Sequence, residues 1–150
     1  MSGKIKDLYE LFKTEEDYEI DGVWQDFGST RIKIARSGGK NTAYLKAFKK
    51  VMKRYNKVNI EALSEEDQDM IMAEIFAGSV IKAWEIKDEK DKWKSGILLL
   101  NKGKKEEVPF SIENVKKCLL DLPDLFSLLR QNADNIKTFQ KEVEEEQLKN

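Results

Sequence analysis

Hydrophobic residues recur at steps of three and four in five stretches of the chain, the spacing that places side chains on one face of an α-helix. Between the first and second of these stretches, from Tyr18 to Arg36, the pattern changes to one typical of β-strands. Glycine and proline mark several of the boundaries. The pattern predicts helices near Ile5–Phe12, from Thr42 to Tyr55, from Ser64 to Trp84, after Ser111, and from Leu122 to Val143, with Pro123 in the first turn of the last one.

The strand-like stretch predicts a β-hairpin whose turn is Gly28-Ser29, because glycine at the first turn position suits a type II′ turn. If Phe27 pairs with Thr30, the strands align with Val23 opposite Ile34. This register predicts one face that can be buried and an outer face that carries Trp24. There Trp24 either covers Lys33 or contacts another element or chain, and packing is the more common role of a tryptophan in such a position. The residues expected on the buried face are Val23, Phe27, Ile32 and Ile34.

The stretch Ser64–Trp84 predicts the central core helix. Ser64 precedes three acidic residues, which is a strong helix start because the helix dipole favours acids in the first turn. Gly78 costs about 1 kcal/mol relative to alanine inside a helix, so we expect a close packing contact there. The next stretch, Glu85–Lys94, is predicted as a charged connection, and Ile97–Leu100 with Glu106–Phe110 as a second small hairpin.

The last helix has the most distinctive pattern. Its apolar residues form a narrow seam, whereas a core-facing helix usually carries a wider stripe. Such a seam predicts a binding face for a partner or for a second copy, and Trp24 is a further contact candidate. The same spacing also fits packing on the protein's own body, and the sequence leaves this alternative open. The residues of this seam are Leu122, Leu125, Leu129, Asn132, Ile136, Phe139 and Val143.

Together these elements predict an α+β fold that is predominantly α, with an N-terminal β-hairpin, a helical core, a second small hairpin and a long C-terminal helix. A length of 150 residues fits a single domain. Its expected parts are a mobile N-terminal helix (1–16), the hairpin (17–36), the core (40–121) and the seam helix with a frayed tail (122–150).

The charge balance argues against a general nucleic-acid or membrane surface, which needs an excess of basic residues on one face. The chain has 27 Lys and Arg against 28 Asp and Glu. A nucleic-acid regulator that uses the basic face from Lys46 to Arg54 is the weakest of the binding hypotheses. No segment approaches the roughly 20 apolar residues of a membrane helix, and Met1–Lys6 does not fit a signal peptide. We therefore expect a cytosolic protein without nucleic-acid or membrane partners.

The residue types available limit the chemistry. There is no histidine, and Cys118 is the only cysteine. A disulfide framework, a cysteine metal cluster and a thiol nucleophile with its usual histidine base are therefore excluded. Cys118 is predicted to be a buried, inert thiol. We expect neither catalysis nor a cofactor nor a metal.

Several short motifs follow one another in a distinctive order. They are Asp21-Gly22-Val23-Trp24, Arg31-Ile32-Lys33-Ile34, Ala43-Tyr44, Ala77 to Trp84-Glu85, and Val108-Pro109-Phe110-Ser111-Ile112-Glu113-Asn114. This order resembles the tail assembly chaperones of long-tailed bacteriophages. Members of that family carry a Gly-x-Trp-like strand start, a helix that ends in tryptophan and an acid, and a strand leading into a Ser/Thr-x-Glu-Asn helix start. The resemblance covers roughly residues 20–145.

This resemblance implies a non-catalytic assembly factor in the host cytoplasm, absent from the mature virion. It would bind and solubilise the tail tape measure protein, help recruit the major tail tube protein, and self-associate as a homo-oligomer. The seam residues and Trp24 would be its contacts. The alternative is a structural virion component, such as a tail completion or head–tail connector protein.

Overall fold

Helices and strands combine in an α+β arrangement in the computed structural model, which describes residues 5–55 and 60–141. This confirms the predicted fold class. The helices are α1 Leu8–Phe12, α2 Glu16–Asp21, α3 Thr42–Lys53, α4 Glu65–Ser79, α5 Ile112–Asp121 and α6 Pro123–Asp134. The strands are β1 Val23–Asp26, β2 Thr30–Ile34, β3 Ile81–Lys87, β4 Trp93–Ser95, β5 Ile97–Asn101 and β6 Lys104–Val108, and two short 3-10 helices span Ile60–Ala62 and Ile136–Phe139.

The N-terminal hairpin has the predicted register. Val23 lies opposite Ile34, and the amide of Phe27 donates to the carbonyl of Thr30 over 2.8 Å, which closes the turn. Gly28 adopts a φ of +96°, a conformation that glycine tolerates best. Ile32 and Ile34 are buried as expected, but Phe27 is exposed because it lies at the turn, beyond the last residue of β1.

The prediction of strand structure from Tyr18 was wrong, because α2 occupies Glu16–Asp21. Acidic residues in its first turn complement the positive end of the helix dipole. Gly22, with a φ of +100°, ends the helix by donating its amide to the carbonyl of Tyr18. Gly22 cannot carry a side chain easily, since an added Cβ would approach the carbonyl oxygen of Ile34 to 3.0 Å.

The central core helix is shorter than predicted. α4 ends at Ser79, and Trp84-Glu85 lie in β3 instead of at a helix end. Short apolar runs fit either a buried helix or a buried strand, and pairing with β2 decides for the strand here. Ser64 caps α4 as predicted, with Oγ accepting from the amide of Asp67 over 3.1 Å. The expected close contact at Gly78 is absent, because Gly78 is exposed and an added Cβ would meet nothing within 4 Å.

The charged segment after Trp84 is also not a simple connection. β3 continues to Lys87 and pairs with β4, which completes an antiparallel sheet in the order β1-β2-β3-β4. A separate two-stranded sheet of β5 and β6 confirms the second hairpin, although β6 begins at Lys104 and ends before Pro109.

The core lies between the inner face of the four-stranded sheet and the helices. Trp84 is buried in this core, and its ring meets that of Phe110 edge to face at a centroid distance of 5.5 Å. Helices α4, α5 and α6 supply the facing apolar side chains. The core includes Ile32, Ile34, Phe76, Val80, Ile81, Val115, Leu119, Phe126 and Leu129.

The predicted continuous C-terminal helix is broken. Ser111 caps α5 and Pro123 begins α6, both as expected. However, α6 ends at Asp134, because Asn135 is extended (φ −96°, ψ 119°) and Ile136–Phe139 forms a 3-10 helix instead. The side chain of Asn135 accepts from the amide of Lys137, an arrangement by which asparagine competes with helical hydrogen bonding. The predicted frayed tail lies largely outside the described residues.

Candidate protein-binding surfaces

The structure divides the predicted seam between the interior and the surface. Leu129 and Phe139 are 0% exposed and belong to the protein's own packing, so they cannot meet a partner in this conformation. Leu125, Asn132 and Ile136 are half-buried, and Leu122 remains 47% exposed. Val143 lies outside the described residues. A single helical seam therefore does not form over the described part of the C-terminal segment.

The break after α6 turns the chain back onto the N-terminal helices. The amide of Glu15 donates to the carbonyl of Phe139 over 2.8 Å, and the side-chain amide of Gln140 donates to the carbonyl of Leu11 over 2.7 Å. These bonds explain why Phe139 is buried although its position fits a seam. The spacing alone does not show them, because both partners lie more than a hundred residues earlier in the sequence.

Two predicted contact residues, Trp24 and Asn132, do come together. They line an open groove of about 740 Å³ between β1 and the C-terminal segment, which Lys33 and Lys137 also line. Asn132 donates its side-chain amide to Oε1 of Gln25 over 2.8 Å. Asn132 therefore helps to hold α6 against the hairpin.

Trp24 belongs to a stack on the outer face of the four-stranded sheet. The guanidinium of Arg31 lies 4.1 Å from the ring centre of Trp24 and 4.4 Å from that of Trp93. Arg31 also forms an ion pair with Glu85 on β3. Such cation–π contacts contribute about 0.5–1 kcal/mol each when partly exposed. Adjacent strands thus position the stack. Its charged groups contact the aromatic rings and each other.

Sequence reasoning missed the roles of Arg31 and Trp93. The hairpin register placed Arg31 beside Trp24 on the outer face, which was a usable signal. Trp93 gave a weaker one as a lone aromatic residue in a charged segment, and its position follows only from pairing with Lys87 across β3 and β4.

A second surface, here called the leucine patch, consists of Leu98, Leu100 and Leu122. In β5, Ile97 and Leu99 point into the core, whereas Leu98 and Leu100 are 46% and 55% exposed. Alternation along a strand produces this division. Leu122 lies with them along an open groove of about 570 Å³.

Charged residues flank the leucine patch. Lys105 lies opposite Leu100 across the two strands, and Glu107 lies opposite Leu98. On α5, Nζ of Lys117 lies 2.6 Å from Oδ2 of Asp121. An apolar centre with a charged rim is the usual arrangement of a protein-binding patch. The sequence predicted Ile97–Leu100 only as one strand of a small hairpin and did not show which of its side chains are exposed.

Cys118 is buried, as predicted. Burial, with a smaller contribution from Asp121, raises the pKa of its thiol to about 11, so the thiol is protonated near neutral pH. Within residues 5–55 and 60–141, no group of three or more His, Cys, Asp or Glu side chains is arranged to hold a metal ion. No helix in the same part of the chain is both long and apolar enough to span a membrane.

Comparison with known proteins identifies the origin of the chain. A family model described as YdaY prophage protein matches residues 39–150. The chain belongs to this family. It is therefore a phage-derived protein, and the match does not specify a tail assembly chaperone. The leucine patch lies inside the region matched to the YdaY family, whereas Trp24 and Arg31 lie before it. No curated protein and no solved structure matches the chain.

Proposed function

We propose that this prophage protein is a non-catalytic tail assembly chaperone that binds and solubilises the tail tape measure protein in the host cytoplasm. It would also help recruit the major tail tube protein. Phage origin supports the general setting. The observation that carries the binding role is the leucine patch, three leucines about half exposed on a folded surface.

The leucine patch fits an amphipathic helix better than a flat surface. Leu98 and Leu100 are two residues apart in a strand, so their side chains stand roughly 7 Å apart on one face. Leu122 adds a third contact along the groove. Apolar side chains on one stripe of a partner helix can seat between such anchors, as in other helix-in-groove complexes. A tape measure protein is long and helical, with apolar seams of this type.

The size of the patch favours reversible binding. Fully burying a leucine contributes roughly 2 kcal/mol, and these side chains are already about half buried. Three of them contribute roughly 3 kcal/mol, which is less than the usual cost of bringing two proteins together. Stable coating then requires several weak contacts along one long partner. Weak individual contacts suit a chaperone that must leave before the tail is complete.

Co-expression with the tape measure protein of the same prophage tests this proposal. Wild-type chain should yield a soluble complex, recovered by pull-down, while the tape measure protein expressed alone should be insoluble. With the double variant Leu98→Asp and Leu100→Asp, the amount of complex recovered should fall at least tenfold. Leu45→Asp is a matched control, because Leu45 is 51% exposed on α3, outside the patch.

Two results would contradict the proposal. One is undiminished binding by the patch variant, provided that its circular dichroism spectrum and unfolding midpoint match those of the wild type. The other is recovery of the chain in purified phage particles without binding to the tape measure protein. That second outcome would favour a tail completion or head–tail connector protein.

A further inference from the structure

The N-terminal arm, residues 5–12, exposes large apolar side chains without burying any of α1. Leu8, Leu11 and Phe12 occupy positions i, i+3 and i+4, so they share one side of the helix. They are 69%, 47% and 64% exposed, and Ile5 before them is 91% exposed. An exposed apolar stripe of this kind is suited to docking in an apolar groove.

The arm is fixed to the body at its base. The carbonyl of Leu11 accepts the hydrogen bond from Gln140, and Glu15 just beyond the arm bonds to Phe139. The apolar stripe is therefore presented from an anchored base. Because the base of the arm is already held, less conformational entropy is lost when the arm docks.

A groove lined partly by small and apolar residues lies between α3 and α4. Its volume is about 400 Å³, and Ala43, Ala47 and Val51 line it from α3. Gly78 on α4 leaves open space, and Ile112 at its end is exposed. Small residues allow another helix to approach closely. The groove thus offers an acceptor for large apolar side chains, and it explains the exposed Gly78 that the core does not use.

The charges around the two surfaces are complementary. α3 carries Lys46, Lys49, Lys50 and Lys53 and contains no acidic residue. The segment from Asp7 to Asp17 contains five acidic residues and only Lys13 as a base. Lys46 and Lys50 line the groove itself, and Glu74 on its α4 side is already paired with Arg54. Complementary charge steers association and fixes orientation.

We propose that the N-terminal arm of one copy docks in the α3–α4 groove of a second copy. The arm and the groove are different surfaces, so the contact is heterologous and generates a ring or an open chain of subunits. This inference goes beyond the proposed function, because neither surface includes the leucine patch. Its failure would leave tape measure binding untouched.

Size-exclusion chromatography with light scattering of two complementary variants tests the contact. The arm variant carries Leu8→Asp and Phe12→Asp, and the groove variant carries Gly78→Phe. Wild type should exceed the 17.4 kDa mass of one chain, with an assembly that weakens as salt rises. Each variant alone should be monomeric. An equimolar mixture should form a heterodimer and nothing larger, because only one functional arm and one functional groove remain.

Controls separate docking from misfolding. Gly78→Ala places a small side chain in open space and should assemble as wild type does. Lys46→Glu with Lys50→Glu provides a second groove variant without added bulk, and it should also prevent assembly. A monomeric wild type at high concentration, assembly by either variant alone, or a mixture that stays monomeric would each overturn the proposal. Protection of the arm within a monomer would show that it binds its own chain.

Discussion

The outer faces of the two sheets differ in how their exposed side chains are used. On the four-stranded sheet, Arg31 lies between Trp24 and Trp93 and pairs with Glu85, so the large side chains cover one another. On the two-stranded sheet, Leu98 and Leu100 remain about half exposed. The first face contains tryptophan and arginine, residue types that are enriched among interface hot spots. Only the second leaves apolar area for a partner to bury.

This difference shows why residue type alone does not identify a binding surface. Trp24 is a natural interface candidate by type, yet its ring already contacts Arg31 and Lys33 of its own chain. The leucines of the patch are chemically less distinctive, but about half of each side chain remains exposed to a partner. If the comparison is right, substitutions beneath and on the four-stranded sheet should lower stability, whereas substitutions in the leucine patch should mainly affect binding.

The largest expected effect lies directly beneath the four-stranded sheet. Leu129 on α6 is fully buried beside Ile32 and Trp84. Leu129→Ala should lower the free energy of unfolding by about 3 kcal/mol, because it removes apolar contacts and leaves a cavity. Urea denaturation measures this value. Leu122→Ala is the matched control at a seam position that is 47% exposed, and it should lower the free energy of unfolding by about 1 kcal/mol or less. Equal effects at both positions would show that the seam is not divided as described.

The next largest effect is expected where α2 is fixed beside the hairpin. Glu19 is buried, and its carboxylate accepts from the amide of Lys40 over 2.9 Å, from Arg36 over 3.1 Å and from the hydroxyl of Thr14. Burial alone would raise the pKa of Glu19, but these hydrogen bonds outweigh it and hold the pKa below its ordinary value of 4.5. The folded state therefore favours the ionised carboxylate.

Glu19→Gln should lower the free energy of unfolding by about 2 kcal/mol at pH 7, the usual range for hydrogen bonds to a charged group. Because the folded pKa is lowered, this contribution is complete above pH 4.5 and is lost as pH falls through the folded pKa. The difference between wild type and variant, measured by urea denaturation, should therefore shrink below pH 4.5. Glu16→Gln, at an exposed position of α2, serves as the control. A pH-independent difference would contradict the assigned charge state.

Local turn chemistry made the hairpins predictable. Gly28-Ser29 allowed one register, and that register fixed every pairing from Val23–Ile34 to Asp26–Arg31. Helix caps were equally clear at Ser64 and Ser111, because the signal lies within one turn of the helix. Each of these features depends on residues close together in the sequence.

Features that depend on distant partners were not predictable. The run after Ser79 satisfies helical spacing, but pairing with β2 makes it a strand. The seam spacing continues past Asn135, but contacts with Glu15 and Leu11 draw Phe139 and Gln140 to the N-terminal helices. Tertiary contacts overrode the periodicity in both cases. The leucine patch was missed for a related reason, since a single strand does not show which of its faces is covered.

The smallest of these stability effects is expected on the outer face of the four-stranded sheet. Arg31→Met keeps much of the apolar stem while removing the guanidinium that contacts both tryptophan rings and Glu85. We expect a loss of about 1 kcal/mol in the free energy of unfolding, since the stack is partly solvated. Tryptophan fluorescence should change as well, because Trp24 and Trp93 lose their shared neighbour. Arg31→Lys should restore charge but not the planar contact with two rings. If Arg31→Met left stability unchanged but abolished binding of the tape measure protein, the stack would be a binding surface and would not stabilise the sheet. The contrast drawn here between the two sheets would then be wrong.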